Sequence, residues 1–157
     1  MKLTDYTDYS LRVLIYAAVH PNEPITIQQI SDAFGIPKNH LVKIVQNLGH
    51  KGFLLTMRGR SGGIRLGRPA AQINLKDVVC ATEPDFGMVE CFRDGNRCVI
   101  TQACGLTGVL QQALEAYLDV LDGYTLQDLV NKPAAINRSL SLGIPIKDLR
   151  QTNHASR

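Results

Sequence analysis

Three residues, Gly35-Ile36-Pro37, interrupt an apolar helical repeat and constrain this chain more than any other feature. Proline does not continue a helix and glycine tolerates left-handed backbone, so the break is a tight turn. Before it, Ile27, Ile30, Ala33 and Phe34 recur at helical spacing behind Thr26, a natural cap. They predict a short helix over about residues 26–34. After it, Leu41, Ile44, Val45 and Leu48 form the inner side of a helix from Lys38 to about His50. The opposite side shows Lys38, Asn39, His40, Val42, Lys43, Gln46 and Asn47. Two helices joined by a short turn, the second polar and basic outside, make a helix-turn-helix.

The next residues extend the motif. Gly52 ends the helix, and Phe53–Met57 and Ile64-Arg65-Leu66 read as short strands around the tip Arg58-Gly-Arg60-Ser-Gly-Gly63. Glycines there allow positive φ, so the pair is a hairpin, or wing. Arginine forks on such a tip suit phosphate or a narrow minor groove. An ordinary turn is the simpler account of a lone glycine cluster, but its place after a basic helix-turn-helix argues against that. The spacing of a nucleotide-binding phosphate loop is absent.

Charge points the same way. The net charge of +3 is unevenly spread: from Ala33 to Lys76 there are eight Lys and Arg and no Asp or Glu. The remainder holds nine basic residues against all fourteen acidic ones. A cationic segment between acidic regions is the footprint of a polyanion-binding element, although a solvated basic surface also produces charge runs. Asn and Gln read adenine edges in two-point contacts, whereas Lys prefers guanine or phosphate. The groove-facing candidates are therefore Lys38, Asn39, His40, Lys43, Gln46 and Asn47, with Arg58, Arg60 and Arg65 for the backbone or minor groove.

Hydrophobic residues make up 45% of the 157, enough for a real core. No apolar run approaches the roughly 18 residues that cross a bilayer. The N-terminus, MKLTDYTDYSLR, lacks the apolar stretch of a secretory signal. A soluble cytoplasmic protein without a membrane partner is expected, with its four cysteines reduced. Zinc-hydrolase motifs, a nucleophile elbow and a nucleotide loop are all missing, so an enzyme is not expected.

Residues 5–19 read as a first helix carrying Leu11, Leu14, Ile15, Ala18 and Val19. Asp8 falls on the same apolar side and needs a helix-end N–H, an arginine or a metal as partner. Residues 75–83 read as another helix with Leu75, Val78, Val79 and Thr82 inward, and Cys80 on its apolar face as a buried thiol. Residues 105–122 form the longest helix, its near-heptad seam Leu106, Leu110, Ala113, Tyr117, Val120 and Leu121 thickened by Val109, Leu114 and Leu118. A face this wide calls for a second copy of the chain. Thr125 through Asp128 reads as a capping-box start to a short helix. The partition is a winged helix-turn-helix over residues 1–83 and a cysteine-rich loop over 84–104, then a dimerisation helix and short helix over 105–130. An irregular tail completes the chain over residues 131–157, with a short strand conceivable through Leu140, Leu142, Ile144 and Ile146.

Cys91, Cys98 and Cys104 are spaced Cys-x6-Cys-x5-Cys in a polar loop that builds no core. Three soft thiolates on one loop suit a thiophilic metal. Zinc favours four ligands and paired knuckles, absent here, whereas an iron–sulfur cluster tolerates wider spacing. Iron–sulfur, zinc and thiol redox all remain open on spacing alone.

The segments MKLTDYTDYSLR, NHLVKIVQNL and RGRSGGIRLGRP, the cysteine triplet and YTLQDLV together resemble the winged-helix iron–sulfur repressor family that contains NsrR and IscR. The likeness is greatest to its nitric-oxide-sensing branch and covers about residues 1–130. It implies a mainly α fold with a small β-wing and a long dimerisation helix. A homodimer would bind a partly palindromic double-stranded DNA operator. An iron–sulfur cluster on Cys91, Cys98 and Cys104, reactive towards nitric oxide, would control its affinity. The resemblance also implies a fourth, non-cysteine ligand, with Asp8 of the partner subunit at the matching position. Members that use histidine instead would need one near Cys98 or Cys104, and none is there. A 4Fe-4S cluster is the expected form and a 2Fe-2S cluster the alternative.

Overall fold

Helix α1, Asp5–Val19, starts at Thr4, whose hydroxyl accepts the Thr7 N–H at 3.2 Å. It is the central element of the fold, and α3, α4, β2 and α6 all pack on it. Covered from several sides, it buries Thr7, Ser10, Val13, Leu14, Tyr16, Ala17 and Val19. The buried stripe is therefore wider than the apolar repeat alone predicts. Ser10 tolerates burial because its hydroxyl donates to the Tyr6 carbonyl at 2.7 Å, satisfying the polar group locally.

The computed structural model describes residues 2–59 and 62–142. Helix α2, Ile27–Phe34, opens with a complete capping box between Thr26 and Gln29. It ends at Gly35, which takes left-handed backbone at φ 66°. Ile36 is then buried in the turn, and helix α3, Lys38–His50, buries Leu41, Ile44, Val45 and Leu48 as the periodicity predicts. Strands β1, Leu54–Met57, and β2, Gly63–Leu66, pair antiparallel with Leu54 opposite Leu66 and Met57 opposite Gly63. Ile25 adds an antiparallel bridge to Ile64, bonded in both directions at 2.9 and 2.8 Å. The wing is thus sewn to the α1–α2 connection and cannot swing freely. At its tip a Cβ on Gly62 would stand 2.5 Å from the Met57 carbonyl oxygen, so only glycine fits.

Helix α4, Leu75–Thr82, buries Leu75, Val78, Val79 and Thr82, its predicted face. Helix α5, Leu106–Asp122, packs on α4 and buries only Leu114. Leu106, Val109 and Val120 are more than half exposed in the single chain. Helix α6, Leu126–Leu129, has the predicted capping box between Thr125 and Asp128. The architecture is mainly helical with one two-stranded sheet, as expected.

Two expectations need correction. Within the expected irregular tail, Pro133–Leu142 instead forms a helix, α7, and residues 143–157 of that tail lie outside the described residues. Pro133 stands at its first position, where the missing N–H goes unneeded, and Leu140 packs against the core. Ile144 and Ile146 of the conceivable strand lie outside the described residues. Cys80 is exposed, not buried, because Val78, Val79 and Thr82 take the inner face of α4. Among the described residues no helix is long and apolar enough to cross a membrane.

Candidate nucleic-acid interface and cysteine loop

The outer side of α3 carries Lys38, Asn39, His40, Lys43 and Gln46 exposed, with Asn47 half-buried. Among the described residues none of these lysines meets a carboxylate; the ion pairs use Lys2, Arg12 and Lys76. The positive charge on this side is left uncompensated, as a surface waiting for phosphate requires. His40 sits beside the Tyr9 ring of α1, with centroids 6.4 Å apart.

The wing arginines separate. Arg58 is exposed next to the tip, and Arg60 lies outside the described residues. Arg65 is half-buried and turns towards the α1–α2 connection, its guanidinium donating to the Asn22 carbonyl at 3.4 Å. Between wing and helices runs a groove of about 480 Å³, lined by Lys38 and also by Thr26, Gln28 and Thr56. The sequence alone does not single out these last three as site residues. Thr26 is legible as a cap, but nothing in the sequence places Thr56 across from the start of α2.

Asp8 is partnered by arginine. Arg12, one helical turn on, donates to both carboxylate oxygens at 2.7 and 3.2 Å. The pair is 45% exposed at Asp8, so Asp8 stands at the edge of the apolar stripe and not within it. The guanidinium of Arg12 also lies 5.8 Å from the Tyr9 ring and 6.0 Å from Phe34. Asp8, α2 and the start of α3 therefore share one surface network.

The cysteine loop is built differently. No residue from Pro84 to Cys104 is buried. Its turns rest on bonds between exposed or half-buried groups: Asn96 accepts the Cys98 N–H at 2.9 Å and donates to Thr101 at 2.8 Å, and Glu90 accepts the Arg97 N–H at 2.9 Å. Arg93 donates to the Gly87 carbonyl at 2.9 Å. Cys91 and Cys104 are half-buried and Cys98 exposed, and all three thiols are free. Cys91 accepts a hydrogen bond from Thr107 at the start of α5, at 3.3 Å.

Among the described residues no three candidate ligands are gathered closely enough to hold a metal ion. The donor chemistry nevertheless fits a thiophilic centre. Three thiols outside any disulfide lie on one short loop, and no packed core fixes their spacing. The loop's root is firmly held: Glu83 accepts the Thr4 N–H at 2.8 Å and its hydroxyl at 3.1 Å. Burial, then the nearby Glu83 and Cys80, holds the Tyr117 hydroxyl above its usual pKa, so the α4–α5 contact keeps a neutral phenol.

Comparison with known proteins places this arrangement. The family model Rrf2, described as an iron-dependent transcriptional regulator, matches residues 3–132. The chain is 52% identical over 143 residues to the HTH-type transcriptional regulator NsrR of Bacillus licheniformis, covering 90% of this chain and all of that protein. It is 54% identical over 144 residues to the regulator of the same name from Bacillus subtilis, covering 90% and 99%. Among solved structures, the oxidized form of Staphylococcus aureus CymR superposes with a TM-score of 0.67 at 23% identity, over 83% of this chain and 97% of that one. That likeness shows the shared fold.

Proposed function

The chain belongs to the Rrf2 family of transcriptional regulators and is an NsrR-like member of it; from that premise we propose that it is a dimeric repressor whose hold on its operator is governed by an iron–sulfur cluster reactive towards nitric oxide. It is a DNA-binding regulator and not an enzyme. The observation that carries the reading is the loop over residues 84–104: three free thiols, no buried residue, and a direct lead into α5.

Each part of the chain has a role in this reading. Lys38, Asn39, His40, Lys43, Gln46 and Asn47 enter the major groove of double-stranded DNA. Arg58 and Arg60 hold the backbone or minor groove, and Thr26 and Thr56 flank a phosphate. Arg65, turned towards the Asn22 carbonyl of the α1–α2 connection, takes no part in holding the duplex. The exposed Leu106, Val109 and Val120 of α5 are covered by a second copy, giving a homodimer in the cytoplasm.

Cys91, Cys98 and Cys104 hold the cluster, of 4Fe-4S form in the first instance and 2Fe-2S as the alternative. Asp8 of the partner subunit completes it. When bound, such a cluster supplies iron that coordinates nitric oxide strongly. The remaining work belongs to the protein. Cys91, Cys98 and Cys104 would be gathered from a loop that has no core of its own, and Asp8 would exchange its bonds to Arg12 for the shared site. With the sulfurs released, the loop and the start of α5 would be free, and the angle between the two reading heads would change. Moving from mostly bound to mostly free takes roughly 3–5 kcal/mol of differential stability, which lies within what one lost tie supplies.

The test is anaerobic purification followed by visible spectroscopy and an operator gel shift before and after nitric oxide. A brown protein whose spectrum and affinity both change is expected. A colourless, zinc-containing preparation, or equal affinity of intact, nitrosylated and metal-free forms, would overturn the reading.

A further inference from the structure

A groove of about 720 Å³ lies behind the reading head, and no residue of α3 lines it. The end of α1, the segment after β2 and the α6–α7 connection make its walls. Val19, Leu66, Ala70, Val130 and Pro133 give it an apolar floor. Three basic residues, His20, Arg65 and Arg68, line the same groove, and among the described residues no Asp or Glu lines it.

These cations are fixed in place but poorly used. The Arg68 guanidinium lies over the Phe53 ring at 4.8 Å, which occupies its face and leaves its edge donors. Arg65 gives a single bond, to the Asn22 carbonyl. The Nε atoms of both arginines are shielded from water and lack any acceptor among the described residues. His20 donates Nδ1–H to the Tyr16 carbonyl at 2.8 Å and stacks on the Tyr16 ring at 4.4 Å, so its orientation is set.

A merely structural arginine is normally given a carboxylate or carbonyls to satisfy its fork. A DNA-binding arginine belongs on the α3 side. These two arginines, three positions apart on an apolar floor with their charge uncompensated, fit neither role. We propose that this groove is a binding site for a small organic anion, a carboxylate or phosphate carried on an apolar body. The oxyanion takes the edge donors of Arg65 and Arg68, and the body lies on Leu66, Ala70 and Val130. The site is independent of the cluster and of the operator surface.

The test titrates the intact, anaerobically purified chain with phenyl phosphate, benzoate and inorganic phosphate at matched ionic strength. The readouts are calorimetry and the proton resonances of the His20 ring, assigned by their loss in His20→Gln. Saturable binding that moves the His20 resonances is expected, tighter for phenyl phosphate or benzoate than for inorganic phosphate. The stronger of the two organic probes identifies the headgroup. Arg65→Gln and Arg68→Gln should each weaken binding by about ten-fold or more, the loss of charge-assisted bonds, while Arg58→Gln on the wing leaves it unchanged. Should Arg68→Gln fail to fold, the His20 shifts of the unaltered chain and Arg65→Gln still decide. Absence of saturation with all three probes, an equal loss in Arg58→Gln, or displacement of the anion by operator duplex would overturn the proposal.

Discussion

Helix α3 and the cysteine loop are both exposed, functional and rich in polar groups, yet they keep their shapes by different means. In α3, Leu41, Ile44, Val45 and Leu48 are all less than a twentieth exposed, so the outer side is presented by a buried inner one. Between Pro84 and Cys104 nothing is fully buried, and the backbone is arranged by hydrogen bonds among exposed or half-buried groups. Such bonds contribute only about 1 kcal/mol each, and less when water competes. The reading surface is therefore dictated by the core and persists without any ligand. The loop's shape has no such core to dictate it.

The contrast breaks most readily at α3. Leu41→Ala should destabilise the metal-free chain by about 2–5 kcal/mol, because the cavity sits at the centre of the core. Urea unfolding followed by circular dichroism measures it, and a loss under about 1 kcal/mol would refute core-dictated presentation. Removing the cap of α2 is gentler. Thr26→Ala deletes the hydroxyl half of the capping box, leaving the backbone N–H at 26 to donate to Gln29, and should lower stability by about 0.5–2 kcal/mol in the same assay.

Cys98→Ala sharpens the other side of the comparison. The exposed thiol packs on nothing, so metal-free stability should stay within about 0.5 kcal/mol of the parent. The anaerobic visible absorption should disappear. A large loss of metal-free stability would mean that the loop has a core after all.

The smallest effect concerns Asp128. Hydrogen bonds from the Thr125 N–H and hydroxyl hold its carboxyl below the ordinary value of 3.8. Because the folded value is the lower one, the cap is fully present above the unfolded pKa. It is withdrawn only as pH falls through the depressed value. The carboxyl resonance of Asp128 should therefore titrate below pH 3.8, and a midpoint at or above it would show the cap to be unmade in solution.

The same division explains what the sequence reveals. Where apolar residues repeat, as in α3, face and bounds are readable residue by residue, because burial alone decides them, and in α4 the inner face is readable while the small Cys80 is misplaced. Thr7 and Ser10 escape such a reading, since their hydroxyls are satisfied within α1 and look polar only on paper. Pro133 reads as a breaker but acts as a starter, because the residues after it can form a helix that the ring itself could not continue. Arg65 looks like a further wing cation until its guanidinium is found at the Asn22 carbonyl of the α1–α2 connection. Of the candidate site, the α3 side is legible because a periodic core implies its complement. The gathering of the cysteines is not, because no apolar pattern encodes it.

Glu83 grips Thr4 by both backbone and hydroxyl. That staple makes a fulcrum out of the point where loop and first helix meet. Helix α1 runs from it for fifteen residues, a rigid arm of about 22 Å. A tilt of only about five degrees at the pivot would carry the far end through roughly 2 Å, the kind of displacement by which packed helices switch. A disturbance at the loop's root too small to unfold anything would thus arrive magnified where α1 bears on α3.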